Sequence, residues 1–149
     1  MRKLIAYFSA SGVTEKRAEE LGRITGADLY RISPEEPYTS KDLDWTDRKS
    51  RSSVEMRNPD ARPAIAGSYP DINAYTTVYI GFPIWWGAAP RIINTFIEGN
   101  DHSGKDIVIF ATSGGSALFP AVEDLRKRYP DLDIEAGQLL NGKVTEDII

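Results

Sequence analysis

Cysteine is absent from the 149-residue chain, and histidine occurs once, as His102. The first absence excludes disulfides, thiolate nucleophiles and cysteine-ligated zinc or iron–sulfur centres. The second excludes a histidine-rich metal site. Basic excess is absent too: 18 Lys plus Arg against 22 Asp plus Glu give a formal charge of −4. That removes the footprint of a nucleic-acid binder and the polybasic run of a membrane-surface protein. Neither nucleic acid nor membrane is therefore an expected partner. No apolar run approaches the roughly 20 residues a spanning helix needs. The opening MRKLIAYFS resembles the start of a secretory signal, but its apolar stretch ends within a few residues and no cleavage-like motif follows. A cytoplasmic location is the expectation.

What is present is an alternation of short apolar runs and helical stretches. A chain of this length buries roughly 68–70% of its unfolded surface, and residues 1–149 are read as a single domain. Leu4–Phe8, Thr77–Phe82 and Asp106–Ala111 are dense enough in apolar residues for strands buried on both faces. Asp28–Ile32 and Leu132–Leu140 alternate, as edge strands do. Residues 14–25 carry Ala18, Leu21 and Ile24 at helical spacing. Pro90 opens, and Gly99 stops, a helix with Ile92, Ile93, Phe96 and Ile97 on one side. Leu118, Val122, Leu125 and Tyr129 stripe another, which Pro130 ends. Alternating strands and helices imply right-handed crossovers and a parallel sheet. The expected fold is an α/β three-layer sandwich around five parallel strands. Residues 33–75 are harder to read; a helix is expected around Asp42–Met56, then an irregular connection through Pro59, Pro63, Gly67 and Pro70. That connection is also a candidate wall of a site.

Such sheets bind ligands beyond the carboxyl ends of their strands, which singles out three loops. The first is Ser9, Ala10, Ser11, Gly12, Val13 and Thr14. Unpaired N–H groups at a helix N-terminus suit a phosphate, although the same hydroxyls suit ordinary capping. It matches neither the Walker nor the dinucleotide glycine pattern. The second contains Pro83, Ile84, Trp85, Trp86 and Gly87. Adjacent tryptophans here make a stacking wall for a flat ring, or else plug a core or subunit contact. Trp86 is expected nearer the ring, with Trp85 packed beneath it or against the neighbouring loop, and a backbone group near Gly87–Ala88 is expected to face the ring. The third contains Thr112, Ser113, Gly114, Gly115 and Ser116, with Phe119 beyond. Its small polar residues offer hydrogen bonds to a heterocycle edge, or form a plain glycine-rich turn. A phosphate cradle, an aromatic wall and a polar rim together describe a mononucleotide with a large flat ring, and FMN fits.

The segments FSASGVT, IGFPIWWGAAPRIINTF and IFATSGGSA resemble the flavodoxin family, in particular its short-chain-like bacterial members. The resemblance implies strand order 2-1-3-4-5 with FMN at the switch point. It implies phosphate contacts from Ser9 to Thr14, ring contacts from Pro83 to Gly87, and pyrimidine contacts from Thr112 to Ser116 with Phe119. It further implies electron transfer between redox partner proteins, a reductase and an acceptor. The chain departs from the family in having Val13 at a usually polar place, no Tyr in the third loop, a modest negative charge, and a short or missing final helix beginning near Thr145. The face left bare there is expected to favour self-association.

An alternative is an NAD(P)H-dependent, FMN-containing reductase of quinones or similar acceptors, with Arg57 or Arg62 as candidate phosphate ligands. Two other functions of this architecture are excluded by chemistry. A phosphatase needs a Cys nucleophile in the first loop, and a receiver domain needs acidic residues where Ser9 stands. His102, in an Asn-Asp-His-Ser-Gly turn, is expected to be solvated.

Overall fold

Leu4, Ala6 and Phe8 point to one face of a sheet while Ile5 and Tyr7 point to the other, and all five are buried. This is the two-sided burial that a central parallel strand requires. In the computed structural model, which describes residues 2–113 and 116–140, strand β1 (Lys3–Tyr7) is followed by helix α1 (Val13–Thr25) and strand β2 (Asp28–Arg31). Helix α2 (Arg51–Arg57), strand β3 (Thr77–Pro83) and helix α3 (Arg91–Glu98) come next. Strand β4 (Asp106–Thr112), helix α4 (Phe119–Arg128) and strand β5 (Asp133–Leu139) complete the order. The strands lie β2-β1-β3-β4-β5, and every pairing is parallel.

The two faces have different covers. Ile92, Ile93 and Phe96 of α3 and Val122 and Leu125 of α4 pack on Leu4, Phe8, Ile80, Phe82 and Ile109. On the other face Ala18 and Leu21 of α1 meet Ile5, Tyr7, Tyr79 and Phe110. The Phe110 ring lies where a side chain on Gly81 would stand: a Cβ there would come within 2.1 Å of it. β2 and β5 are the exposed edges, as their alternation predicts.

Two expectations are corrected. The helix expected from Asp42 starts only at Arg51. Before it, short polar side chains capture the backbone: Thr39 N–H donates to Asp42 and Asp42 N–H to Thr39, at 3.0 and 3.1 Å. Thr46 N–H and Lys49 N–H likewise donate to Asp44 and Asp47. Such local bonds compete with helix formation, and the helix begins where Ser50 caps Ser53 N–H. His102 is not solvated but buried, at 2% exposure. Its ring lies edge-on to Phe96 at 5.6 Å, and Nδ1 is 3.2 Å from the Asn100 carbonyl. The helix start expected at Thr145 lies outside the described residues.

Candidate functional site

β1, β3 and β4 are adjacent, so the loops leaving their carboxyl ends are neighbours. β1 is also where the crossovers change direction, which is where this class of sheet opens a crevice. The loops are bonded to one another. Thr14 Oγ1 and Thr112 Oγ1 lie 2.8 Å apart and buried, joining the first loop to the third. Ile84 N–H donates to the Thr112 carbonyl at 2.9 Å, joining the second to the third.

In the first loop Ser9 Oγ accepts from Gly12 N–H at 3.1 Å and Glu15 N–H at 3.2 Å. Gly12 has φ 94°, a left-handed conformation that favours glycine. The first carbonyl bond of α1 runs from Lys16 N–H to Gly12. The N–H groups of Val13 and Thr14 precede it and have no helical partner, leaving them for a ligand or water. The donors of the loop itself are neutral N–H and O–H groups, and Arg31, which lies beside Ser9, is paired with Glu15 at 2.9 Å.

The second loop is a tight hairpin. Trp85 N–H donates to Ala88 O at 2.9 Å, and Ala88 N–H returns to Trp85 O at 3.0 Å. The two residues between them, Trp86 and Gly87, have φ of 50° and 75°. Positive φ at both central positions is the signature of a type I′ turn. Here it separates the two indoles. Trp85 is half-buried, edge-on to Phe8 at 5.7 Å and to Tyr38 at 5.5 Å. Trp86 is 52% exposed.

Seven of the expected site residues line one cavity of about 360 Å³: Ser11, Val13, Pro83, Ile84, Trp85, Thr112 and Ser113. Ser9 and Ala10 line another, smaller one of about 110 Å³ with Phe8, Arg31 and Tyr38. Ser116 closes the third loop, its N–H donating to Ser113 Oγ at 2.6 Å. Gly114 and Gly115 lie outside the described residues. Phe119 is the first residue of α4 and 59% exposed. Trp86 is not on the cavity that Trp85 lines; it lines a separate cleft of about 350 Å³ with Trp45, Arg48, Ser53, Met56 and Arg57. Ala88 N–H is used inside the turn.

Sequence reasoning missed the support beneath Trp85. Phe8 and Tyr38 pack against it and against each other. Tyr38 is fixed in turn by a hydroxyl bond to Glu55 and by the Arg51 guanidinium, 3.8 Å from its ring centre. Burial, then the bond to Glu55, push the Tyr38 hydroxyl well above the usual phenol range. The hint lay in an aromatic and an Arg-x-x-x-Glu pair within the segment that gave no clean stripe. Arg62 is committed to Glu98 through two bonds, at 3.0 and 2.9 Å. Among the described residues no acidic or histidine cluster could hold a metal, and no helix is long and apolar enough to cross a membrane.

Comparison with known proteins agrees with this geometry. None of the curated proteins matches the chain. A solved structure of a provisionally named flavoprotein from Bacteroides eggerthii DSM 20697 is 54% identical, with TM-score 0.95, covering 98% of this chain and 91% of that one. Another, from Bacteroides uniformis ATCC 8492, is 46% identical, with TM-score 0.95 and coverages of 99% and 94%. A flavoprotein from Lactobacillus acidophilus NCFM, solved in complex with FMN, is 23% identical with TM-score 0.77, covering 93% and 92%; at that distance it shows the fold. The flavodoxin family model matches residues 2–149. With the strand order 2-1-3-4-5 and the three linked loops, this establishes that the chain belongs to the flavodoxin family.

Proposed function

We propose that the protein binds FMN at the three-loop cavity and passes electrons between redox partner proteins. The carrying observation is the convergence of Ser11 and Val13, of Pro83, Ile84 and Trp85, and of Thr112 and Ser113 on one cavity. That lining offers neutral donors at one end, an indole in the middle and a polar rim opposite, which suits the phosphate, the ring and the pyrimidine edge in turn. Family membership supports the same cofactor. In this reading the N–H groups of Val13 and Thr14 with the Ser11 hydroxyl hold the phosphate, helped by the positive end of the α1 dipole. Trp85, Pro83 and Ile84 form the apolar wall and exclude water from one ring face. The Thr14–Thr112 pair uses one O–H between its two oxygens. One hydroxyl proton is therefore left to donate to a bound heterocycle. FMN supplies the electron chemistry, and the protein tunes it through contacts, charge and exposure.

The test is direct. Purified protein should be yellow or take up FMN with 1:1 quenching of flavin fluorescence, and the acid-released pigment should have the mass of FMN. A colourless protein that leaves FMN fluorescence unchanged refutes the reading. Steady consumption of NAD(P)H by the flavin-loaded protein alone favours the reductase alternative; consumption only with an added reductase favours a carrier.

A further inference from the structure

The cleft on the far side of the tandem-tryptophan turn is the feature that FMN binding leaves unexplained. Its walls come from two parts of the chain that the sequence pattern does not connect. Trp86 projects from the turn after β3, while Trp45 and Arg48 come from the turns before α2, and Ser53, Met56 and Arg57 from α2 itself. α2 is anchored at its C-terminal end. Arg91, the first residue of α3, is buried at 8% exposure and donates to the carbonyl of Met56 at 2.9 Å. Arg57 donates to the carbonyl of Arg48 at 2.7 Å, which fixes the turn against the helix.

Three properties of the lining are costly without a ligand. Trp45 and Trp86 are 73% and 52% exposed, although indole is among the side chains water accommodates least well. Trp86 is the one non-glycine residue at positive φ among the described residues, an outlier for a bulky side chain at a place where Asn or Gly is usual. Arg48 and Arg57 are exposed, and among the described residues neither has a carboxylate within 4.0 Å, in a chain of net charge −4. Backbone strain at an exposed aromatic is the pattern that points to a ligand site. Two indoles accept a flat ring by stacking, and guanidinium groups pair with carboxylate, sulfonate or phosphate.

We propose that this cleft is a second binding site, distinct from the FMN cavity, for a small flat aromatic anion. The inference stands on the cleft alone; on the FMN reading it puts an anionic aromatic next to the residue that neighbours the flavin wall. The two cavities share no lining residue, so both are expected to be filled together.

The test uses 2-naphthoate and its neutral twin, 2-naphthamide, titrated calorimetrically into the FMN-loaded protein and into the FMN-free protein. Naphthoate should bind 1:1 in both forms and about fivefold or more tighter than naphthamide, the scale of an exposed charge-assisted contact. Arg48→Gln should remove most of that preference while leaving naphthamide affinity unchanged. Trp86→Asn should weaken both ligands about tenfold or more and leave the melting temperature unchanged or raised, since Asn is favoured at this turn position. Equal affinity for the two ligands, or no binding of either, overturns the proposal. Loss of naphthoate binding on FMN loading also overturns it, by assigning the cleft to the flavin. A Trp86→Asn protein that melts lower and still binds naphthoate would show that this indole is structural. Failure of FMN to bind, with naphthoate still binding in the FMN-free protein, sinks the flavin reading and leaves this one standing.

Discussion

The bond between Thr14 and Thr112 ties together two loops 98 residues apart in sequence, and its energetic signature can be worked out in advance. Both residues are buried, at 2% and 4% exposure. Thr14→Val or Thr112→Val keeps the shape and removes one hydroxyl. The partner hydroxyl then stays buried without its bond, which costs about 1–3 kcal/mol. For a chain of this length that lowers the melting temperature by roughly 2–4 °C per kcal/mol. The double variant leaves no orphaned hydroxyl, so its stability should return to within about 1 kcal/mol of the parent, because replacing both partners by apolar groups of the same shape is nearly neutral. The costs of both single variants, less that of the double, therefore set a coupling energy of about 1–6 kcal/mol. Urea or thermal unfolding of the four FMN-free proteins measures it. Strict additivity, with the double variant as unstable as the sum of the singles, would refute the reasoning. If the pair also offers its remaining O–H to the cofactor, the double variant should bind FMN more weakly despite its recovered stability.

Three further outcomes follow from other contacts. Burial holds the His102 imidazole below its ordinary value, so the unfolded chain binds the proton first. The contribution is complete above about pH 6.5 and is lost as pH falls below it, by up to about 1.4 kcal/mol per pH unit. Urea unfolding between pH 5 and 7.5 should show a flatter pH dependence for His102→Gln, and parallel curves would sink the argument. Gly81→Ala places a methyl against the Phe110 ring between two central strands, at 2.1 Å. Overpacking should destabilise it by about 1–3 kcal/mol or more, and thermal unfolding at the parent's melting temperature would contradict that. Tyr38→Phe retains the ring beneath Trp85 while Tyr38→Ala removes it. FMN titration should find the first within about threefold of the parent and the second weaker by about tenfold, since an aromatic contact is worth about 0.5–1.5 kcal/mol beyond its area; equal losses would show that the hydroxyl, not the ring, is what matters.

The sheet was legible because each strand carries its own environment in its pattern. Leu4–Phe8 is unbroken because both faces are covered, whereas β2 and β5 mix polar residues because one side of each is open. Helix stops were legible where Gly or Pro interrupts the pattern: Gly99 caps α3, and α4 ends at Arg128, two residues before Pro130. The segment from 33 to 75 was not, since its order comes from contacts distant in sequence. Ile65 pairs with Pro34 in an isolated bridge, and Ser33 and Ala64 carbonyls accept from Ala66 and Glu35. No period of 2 or 3.6 residues encodes such a clasp. His102 misled for a related reason: its turn is polar, but Phe96, six residues earlier, covers the ring.

The meeting of the three loops was legible, but not the placing of Trp85 and Trp86 on two different cavities. Adjacent residues in an extended strand alternate between faces, which puts one indole in and one out but does not fix which, and the expectation chose Trp86 for the ring. What decides is the turn. Gly87, with a φ of 75° beside that of Trp86, is the second corner of a type I′ turn. The dipeptides that announce this turn begin with Asn, Asp or Gly, and Trp-Gly does not. The turn therefore forms against local preference, held by the paired bonds of Trp85 and Ala88 and by the buried seat of Trp85 between Phe8 and Tyr38. A conformation that the local sequence disfavours persists only where its surroundings over-determine it. The same seat puts Trp85 on the three-loop cavity, while Trp86 turns toward Trp45, Arg48 and Arg57, and among the described residues neither arginine has a carboxylate within 4.0 Å.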